Sequence, residues 1–227
     1  MNVIRNIPNA ITCGNLLCGS ISVVKIFNGS WETAVYFIWG GLILDFLDGF
    51  AARSLKVHSR TGKELDSLAD MVTFGLVPGL IAFQLISTKT PLQWLPYLGF
   101  LITIFSALRL AKFNVDELQS DVFIGLPTPA NTLFISSLIF INADWLPLLT
   151  ILLLVIVFSY LLVAPIEMIA LKFKHFKWKG NEDRYLIIII AIVSILVLQK
   201  IALPLVIVAY ICLSIAKKVF FSKSKAQ

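Results

Sequence analysis

Apolar runs follow one another from end to end of this chain, at about 8–27, 32–53, 63–86, 92–112, 127–142, 146–170, 184–199 and 201–221, the fifth of them short enough to be expected tilted or partly within the bundle. A hydrocarbon layer about 30 Å thick is crossed by roughly 20 apolar residues in a helix. Backbone in lipid must satisfy its own polar groups, which a single segment does only as a helix. The expected fold is therefore all-α, a polytopic integral membrane bundle of about eight transmembrane helices in one membrane domain, 1–227. With 58% of the residues hydrophobic and 14% charged, no room remains for a separate soluble domain. The first apolar run is broken by Asn9, Thr12, Gly14 and Asn15 and lacks a convincing cleavage site, so it reads as a retained helix rather than a signal peptide. Cys13, Cys18 and Cys212 lie inside apolar runs without CxxC spacing and are read as reduced core residues.

An even number of crossings puts both termini on one side, and the loop charges say which. On one side lie Arg5, the 53–63 loop, Arg109 and Lys112, the 172–184 loop and the Lys-rich end; the other holds Lys25, Lys89 and Lys200, a division of 16 to 3. Cytoplasmic loops carry such an excess, so both termini are expected in the cytoplasm. Trp31, Trp94 and Trp145 fall at the outer boundary and Trp178 at the inner one, as interfacial aromatics do. Basic loops facing anionic lipid headgroups account for the net charge of +6, and no nucleic acid is needed. Pro8, Pro91, Pro127 and Pro129 suit first-turn positions of the helices they precede or open.

Against this background four carboxylates stand out. Asp45 and Asp48 close the second run, and Asp66 and Asp70 lie early in the third. An uncompensated Asp at the middle of a membrane helix costs about 2.5–3.5 kcal/mol, so such residues point to function. The spacings i, i+3 and i, i+4 put each pair on one face of its helix. Asp48 is five residues before Arg53 and Asp66 four after Gly62, which at 1.5 Å per residue sets both roughly 6–8 Å inside the same cytoplasmic loop. Four anions meeting in a low dielectric require cations between them, and hard oxygen donors favour Mg2+, Mn2+ or Ca2+ over zinc. Gly49 and Ala52 leave a flat strip beside them where a bulky ligand can approach the backbone, and Arg53 ends the strip with a fork suited to phosphate. Small residues also serve plain helix packing, and Arg53 also serves as a topology signal.

The run from Asp45 through Asp48, Gly49, Ala52, Arg53, Gly62 and Asp66 to Asp70 resembles the full signature of the CDP-alcohol phosphotransferases, with every fixed position filled at the correct spacing. The resemblance implies a six-helix core that forms a homodimer, with a catalytic hairpin at about 32–86 and the helices at about 184–221 peripheral. It implies that Asp45, Asp48, Asp66 and Asp70 hold two divalent ions, Mg2+ or Mn2+, and that Asp70 is also the general base. It implies that Gly49, Ala52, Arg53 and Gly62 contact the CDP-lipid, with Asn9 and Thr12 of the first helix beside the nucleotide. The expected reaction is direct in-line attack of an alcohol on the activated lipid, releasing CMP. No His-Lys-Asp nucleophile set competes, and His58 and His175 sit in basic loops.

The stretches Ser106 to Asn114 and Phe123 to Ala130, and the run from Leu65 through Thr73 to Gly75, resemble the phosphatidylserine synthase branch of that family. This implies CDP-diacylglycerol and L-serine as substrates at a cytoplasmic active site. Arg109, Lys112, Asn114 and Thr73 are then the expected serine contacts, although the two cations also fit a positive-inside role. Open alternatives are another acceptor, such as glycerol 3-phosphate or inositol, and an archaeal ether lipid as donor. A cation-coupled transporter is a further alternative, but its polar sites would be spread over both halves of the chain. Glu167 is expected near the inner end of the sixth helix, without an assigned role.

Overall fold

The computed structural model describes residues 6–57, 59–115, 123–169 and 181–224. They form eight helical segments. These are α1 (Ile7–Phe27), α2 (Trp31–Ser54), α3 (Arg60–Ser87), α4 (Leu95–Val115), α5 (Thr128–Phe140), α6 (Leu148–Val163), α7 (Glu182–Leu198) and α8 (Ala202–Ser224). By length and composition α1 to α4 and the run Tyr185–Ala216 suffice to cross a membrane, while α5 and α6 are shorter apolar helices. The protein is an all-α polytopic membrane protein, as the apolar pattern predicts.

Local chemistry explains several of the helix ends. Pro8, Pro96 and Pro129 occupy first-turn positions, where a missing N–H is harmless. Pro91 does not; it lies in the loop before α4, and Pro96 takes the expected role. Ser59 caps α3 by accepting a hydrogen bond from Gly62 N at 2.9 Å. Helix α6 stops at Val163, not near 170, because Pro165 forces Ala164 into extended backbone (φ −60°, ψ 142°). The chain then forms a two-residue antiparallel pair, Phe123–Ile124 with Glu167–Met168. Glu167 is accordingly an exposed residue of this pair and not part of a membrane helix.

The helices run up and down. Trp31, Leu85, Leu138 and Leu146 line one cavity, which brings the start of α2, the end of α3 and the α5–α6 connection to the same end of the bundle. Lys200, in the turn between α7 and α8, reaches the same end, where it hydrogen-bonds the Tyr36 hydroxyl, lies 3.9 Å from Glu32 and sits over the Phe140 ring. Val35, Ile38, Val77, Ile81, Ile135 and Val155 are buried between the helices, whereas Leu17, Ile43, Phe46, Leu153 and Leu196 face outward, as lipid contact requires. Gly99 sets the approach of α4 to α3. A Cβ there would lie 2.9 Å from Phe83 Cα, so only glycine allows the contact.

Helix α3 carries a π-helical turn at Met71–Leu76, directly after Asp70. Such widened turns are frequent at functional sites. Neighbouring hydroxyls bond its backbone. Thr103 Oγ1 of α4 donates to Gly75 O at 3.0 Å, and Thr132 Oγ1 of α5 donates to Phe74 O at 3.1 Å.

Candidate active site

Helices α1, α2 and α3 meet at the end of the bundle opposite Lys200, and there the four aspartates come together. One carboxylate oxygen from each of Asp45, Asp48 and Asp66 lies within 4.8 Å of the others. Asp70 completes the group, in electrostatic range of Asp45, Asp48 and Asp66. Asp48 and Asp70 are buried.

Helix α1 holds this group from one side. Thr12 Oγ1 donates to Asp48 Oδ2 at 2.6 Å. One turn further, Asn15 Nδ2 donates to Asp70 Oδ1 at 3.2 Å, and the Asn15 carbonyl accepts from Thr73 Oγ1 at 3.1 Å. Asn15 therefore orients Asp70, a role the sequence did not assign to it. Its polarity within an apolar helix was visible, but its partner depended on how α1 crosses α3. Gly41 of α2 makes room for it, since a Cβ at that position would lie 2.9 Å from Asn15 Oδ1.

Beside the carboxylates a cavity of about 550 Å3 opens, a size typical of small-molecule sites. Asn9, Thr12, Asp48, Gly49, Ala52 and Gly62 line it, with Asp66 at its edge. Gly62 lies against Asn9, since a Cβ at Gly62 would stand 2.9 Å from Asn9 Oδ1. Arg53 is exposed and lies along Gly49, its guanidinium 3.4 Å from where a Gly49 Cβ would be. Arg60 and Lys63 also line this cavity and add positive charge to it, beyond the part they play in the loop-charge asymmetry.

Arg109 and Lys112 share a second cavity, of about 620 Å3, between α4 and the end of α6. Arg109 is buried and in electrostatic range of Asp70, while Lys112 is exposed. Asn114 and Thr73 line neither cavity. Asn114 Nδ2 donates to Ser67 Oγ at 2.9 Å and its carbonyl accepts from Lys63 Nζ at 3.0 Å, so this residue ties α4 to α3. Thr73 is fully buried, with its hydroxyl committed to Asn15. His58, His175 and Trp178 lie outside the described residues.

The donor set fits a hard divalent cation. It consists of carboxylates alone, three of them converge, and Asp66 Oδ1 is buried without a hydrogen-bond partner. An ion pair among the described residues, Lys200 with Glu32, is at the other end of the bundle and compensates none of these charges. Asp45, Asp48 and Asp66 can thus hold a metal ion.

Paired carboxylates on adjacent helices, a small-residue cavity beside them and a buried arginine in electrostatic range of Asp70 make up the candidate site. The pattern of the CDP-alcohol phosphatidyltransferase family matches residues 5–171, and the chain belongs to that family. Among its relatives is the CDP-diacylglycerol–serine O-phosphatidyltransferase of Bacillus subtilis, 38% identical over 78% of this chain and 94% of that protein. The protein of the same name from Helicobacter pylori is 36% identical over 57% of this chain and 55% of its own length. The archaetidylserine synthase of Methanothermobacter thermautotrophicus is 31% identical over 58% of this chain and 56% of that protein. This chain thus spans about half the length of the latter two.

Proposed function

We propose that this protein is a CDP-diacylglycerol–serine O-phosphatidyltransferase, which moves a phosphatidyl group from CDP-diacylglycerol to L-serine and releases CMP. The observation that carries the reading is the position of Asp70, held by Asn15 at the carboxylate cluster and facing a buried arginine. The names of the relatives supply the acceptor and donor. The archaeal relative's name keeps an ether-lipid donor open, and that donor calls for the same chemistry.

The CDP group occupies the cavity lined by Asn9, Thr12, Gly49, Ala52 and Gly62, with Arg53 beside it. Two divalent ions, Mg2+ or Mn2+, held by Asp45, Asp48, Asp66 and Asp70 would neutralise the diphosphate and the departing phosphate. Serine enters through the cavity that contains Arg109 and Lys112, and Arg109 binds its carboxylate as a planar fork. Its hydroxyl is then directed at Asp70. That hydroxyl ionises far above neutral pH, so the Asp70 carboxylate accepts its proton as the oxygen attacks. The new bond forms from the serine oxygen to the lipid phosphorus, and the bond from that phosphorus to CMP breaks. Most of the acceleration comes from positioning and charge stabilisation, as in other phosphoryl transfers.

The rest of the proposal concerns setting. The chain acts as a single membrane domain and a homodimer, as the family resemblance implies, with α7 and α8 outside the six-helix core. The Lys and Arg division of 16 to 3 supports cytoplasmic termini and a cytoplasmic active site.

The test is CMP release from CDP-diacylglycerol by purified protein with Mn2+ or Mg2+, comparing L-serine, glycerol 3-phosphate and inositol. Serine-dependent release that Asp70→Asn abolishes is the expected result. Release with a different acceptor refutes serine and leaves the chemistry standing. No release with any acceptor and either metal refutes the enzyme reading.

A further inference from the structure

The family pattern ends at residue 171, so α7 and α8 lie outside it. One face of α8 is nevertheless joined to the wall of the cavity that holds Arg109. Leu162, Val163 and Pro165 at the end of α6 form that wall together with Ile124. Pro165 ends the helix there, so the backbone from Ala164 onward must find partners elsewhere. Part of the need is met by the short strand pair. Gly125 N donates to Ile166 O at 2.8 Å, and Phe123–Ile124 pairs with Glu167–Met168. At Ile169, which is buried, α8 takes over both backbone groups. Ser214 Oγ accepts from Ile169 N at 3.2 Å, and the Tyr210 hydroxyl donates to Ile169 O at 3.1 Å.

Tyr210 and Ser214 are spaced i, i+4 on one face of α8, and both are buried. Ser214 Oγ gives its proton to Tyr210 O at 2.8 Å, which leaves a lone pair for Ile169 N. The Tyr210 hydroxyl also has a single proton, and Ile169 O takes it. Its oxygen therefore offers only lone pairs to its other neighbours, and the Arg109 guanidinium is in electrostatic range of it. Arg109 Nε is buried without a hydrogen-bond partner. Negative charge density from the Tyr210 oxygen and from Asp70 thus steadies a guanidinium that its nearest surroundings leave partly unpaired.

A substrate carboxylate that pairs with Arg109 needs the guanidinium and the cavity wall held in one arrangement. We propose that Tyr210, supported by Ser214, is a positioning residue for the acceptor. It clamps the 164–169 segment to α8 and sets the place of Arg109, so that a helix outside the family pattern completes the acceptor cavity. This rests on the serine reading given above. Attachment of the α7–α8 pair to the bundle is served at the opposite end by Lys200, through Tyr36, Glu32 and Phe140. The two jobs can therefore be separated by mutation.

The experiment measures CMP release by the purified full-length protein with Mn2+, varying CDP-diacylglycerol and L-serine in turn. Tyr210→Phe keeps the ring and removes one oxygen. It is expected to raise the serine KM about three- to tenfold, the loss of one buried hydrogen bond, with the KM for CDP-diacylglycerol within about twofold of wild type. Ser214→Ala should raise the serine KM in the same way. Lys200→Ala, which loosens the same helix pair far from the cavity, is expected to keep both KM values within about twofold of wild type. Thermal unfolding in detergent checks each variant, and should Tyr210→Phe not fold, Ser214→Ala decides by the same criteria. The inference is overturned if the serine KM rises less than about threefold, if both KM values rise together, or if Lys200→Ala raises the serine KM as much. In each of those cases the serine function stands. If wild type itself releases no CMP with serine, the serine reading falls and this inference falls with it.

Discussion

Asn15 offers the sharpest quantitative test, because its side chain and its backbone do separate jobs. The amide donates to Asp70 Oδ1 at 3.2 Å, while the backbone carbonyl accepts from Thr73. Asn15→Ala therefore removes the contact to the carboxylate and keeps the link between α1 and α3. A hydrogen bond to a charged group is worth about 1.5–3 kcal/mol. At 1.36 kcal/mol per factor of ten, its loss from the transition state lowers kcat by about 10- to 150-fold. A second perturbation reaches the same contact from the other side. In Gly41→Ala the new methyl would lie 2.9 Å from Asn15 Oδ1 and 2.8 Å from Thr73 Cγ2, so the amide must shift away. Both variants are assayed for CMP release at saturating CDP-diacylglycerol, serine and Mn2+, with thermal unfolding in detergent as a check on folding. If Asn15→Ala is folded and its kcat stays within about twofold of wild type, Asn15 does not orient Asp70 and the reasoning from this hydrogen bond is wrong.

Other predictions follow from neighbouring contacts. Thr12→Val removes the 2.6 Å hydrogen bond to Asp48 and should raise the Mn2+ concentration for half-maximal activity by about 10- to 100-fold, as read from a metal titration. Gly62→Ala pushes a methyl toward Asn9 and Ser59, so the KM for CDP-diacylglycerol should rise while that for serine is unchanged; equal shifts would argue against a nucleotide cavity there. Chelation with EDTA should abolish CMP release and added Mg2+ or Mn2+ should restore it, whereas activity that survives exhaustive chelation would refute the carboxylate site as a metal site. Phe134→Ala empties a buried position stacked on Phe158 and should cost about 3–5 kcal/mol, seen as a lowered thermal midpoint.

What could be read from the sequence was what is encoded within a single helix. Hydropathy marked eight helical segments because a helix in the bundle is apolar whether it meets lipid or, like α5, is packed inside. The four aspartates were legible because i, i+3 and i, i+4 spacing decides the helix face before any packing occurs. Hydropathy was a poor guide where chain geometry overrides it. The apolar run 146–170 hid the end of α6, which Pro165 imposes, and so misplaced Glu167 in a helix.

The remaining assignments required the tertiary structure. Thr73 and Asn114 looked like substrate contacts, but their polar groups are taken up by Asn15 and by Ser67 and Lys63 on other helices. Asn15 and Asn131 are both asparagines within apolar helices, and no local pattern separates the one paired with Asp70 from the one left unpaired. The sequence by itself determined the membrane class, the helices and the four carboxylates, since periodicity and hydration act along one segment. Which polar group meets Asp70, which faces a cavity and which joins two helices was decided only by how α1, α3, α4 and α5 cross, because a hydrogen bond depends on distances between segments that no single segment encodes.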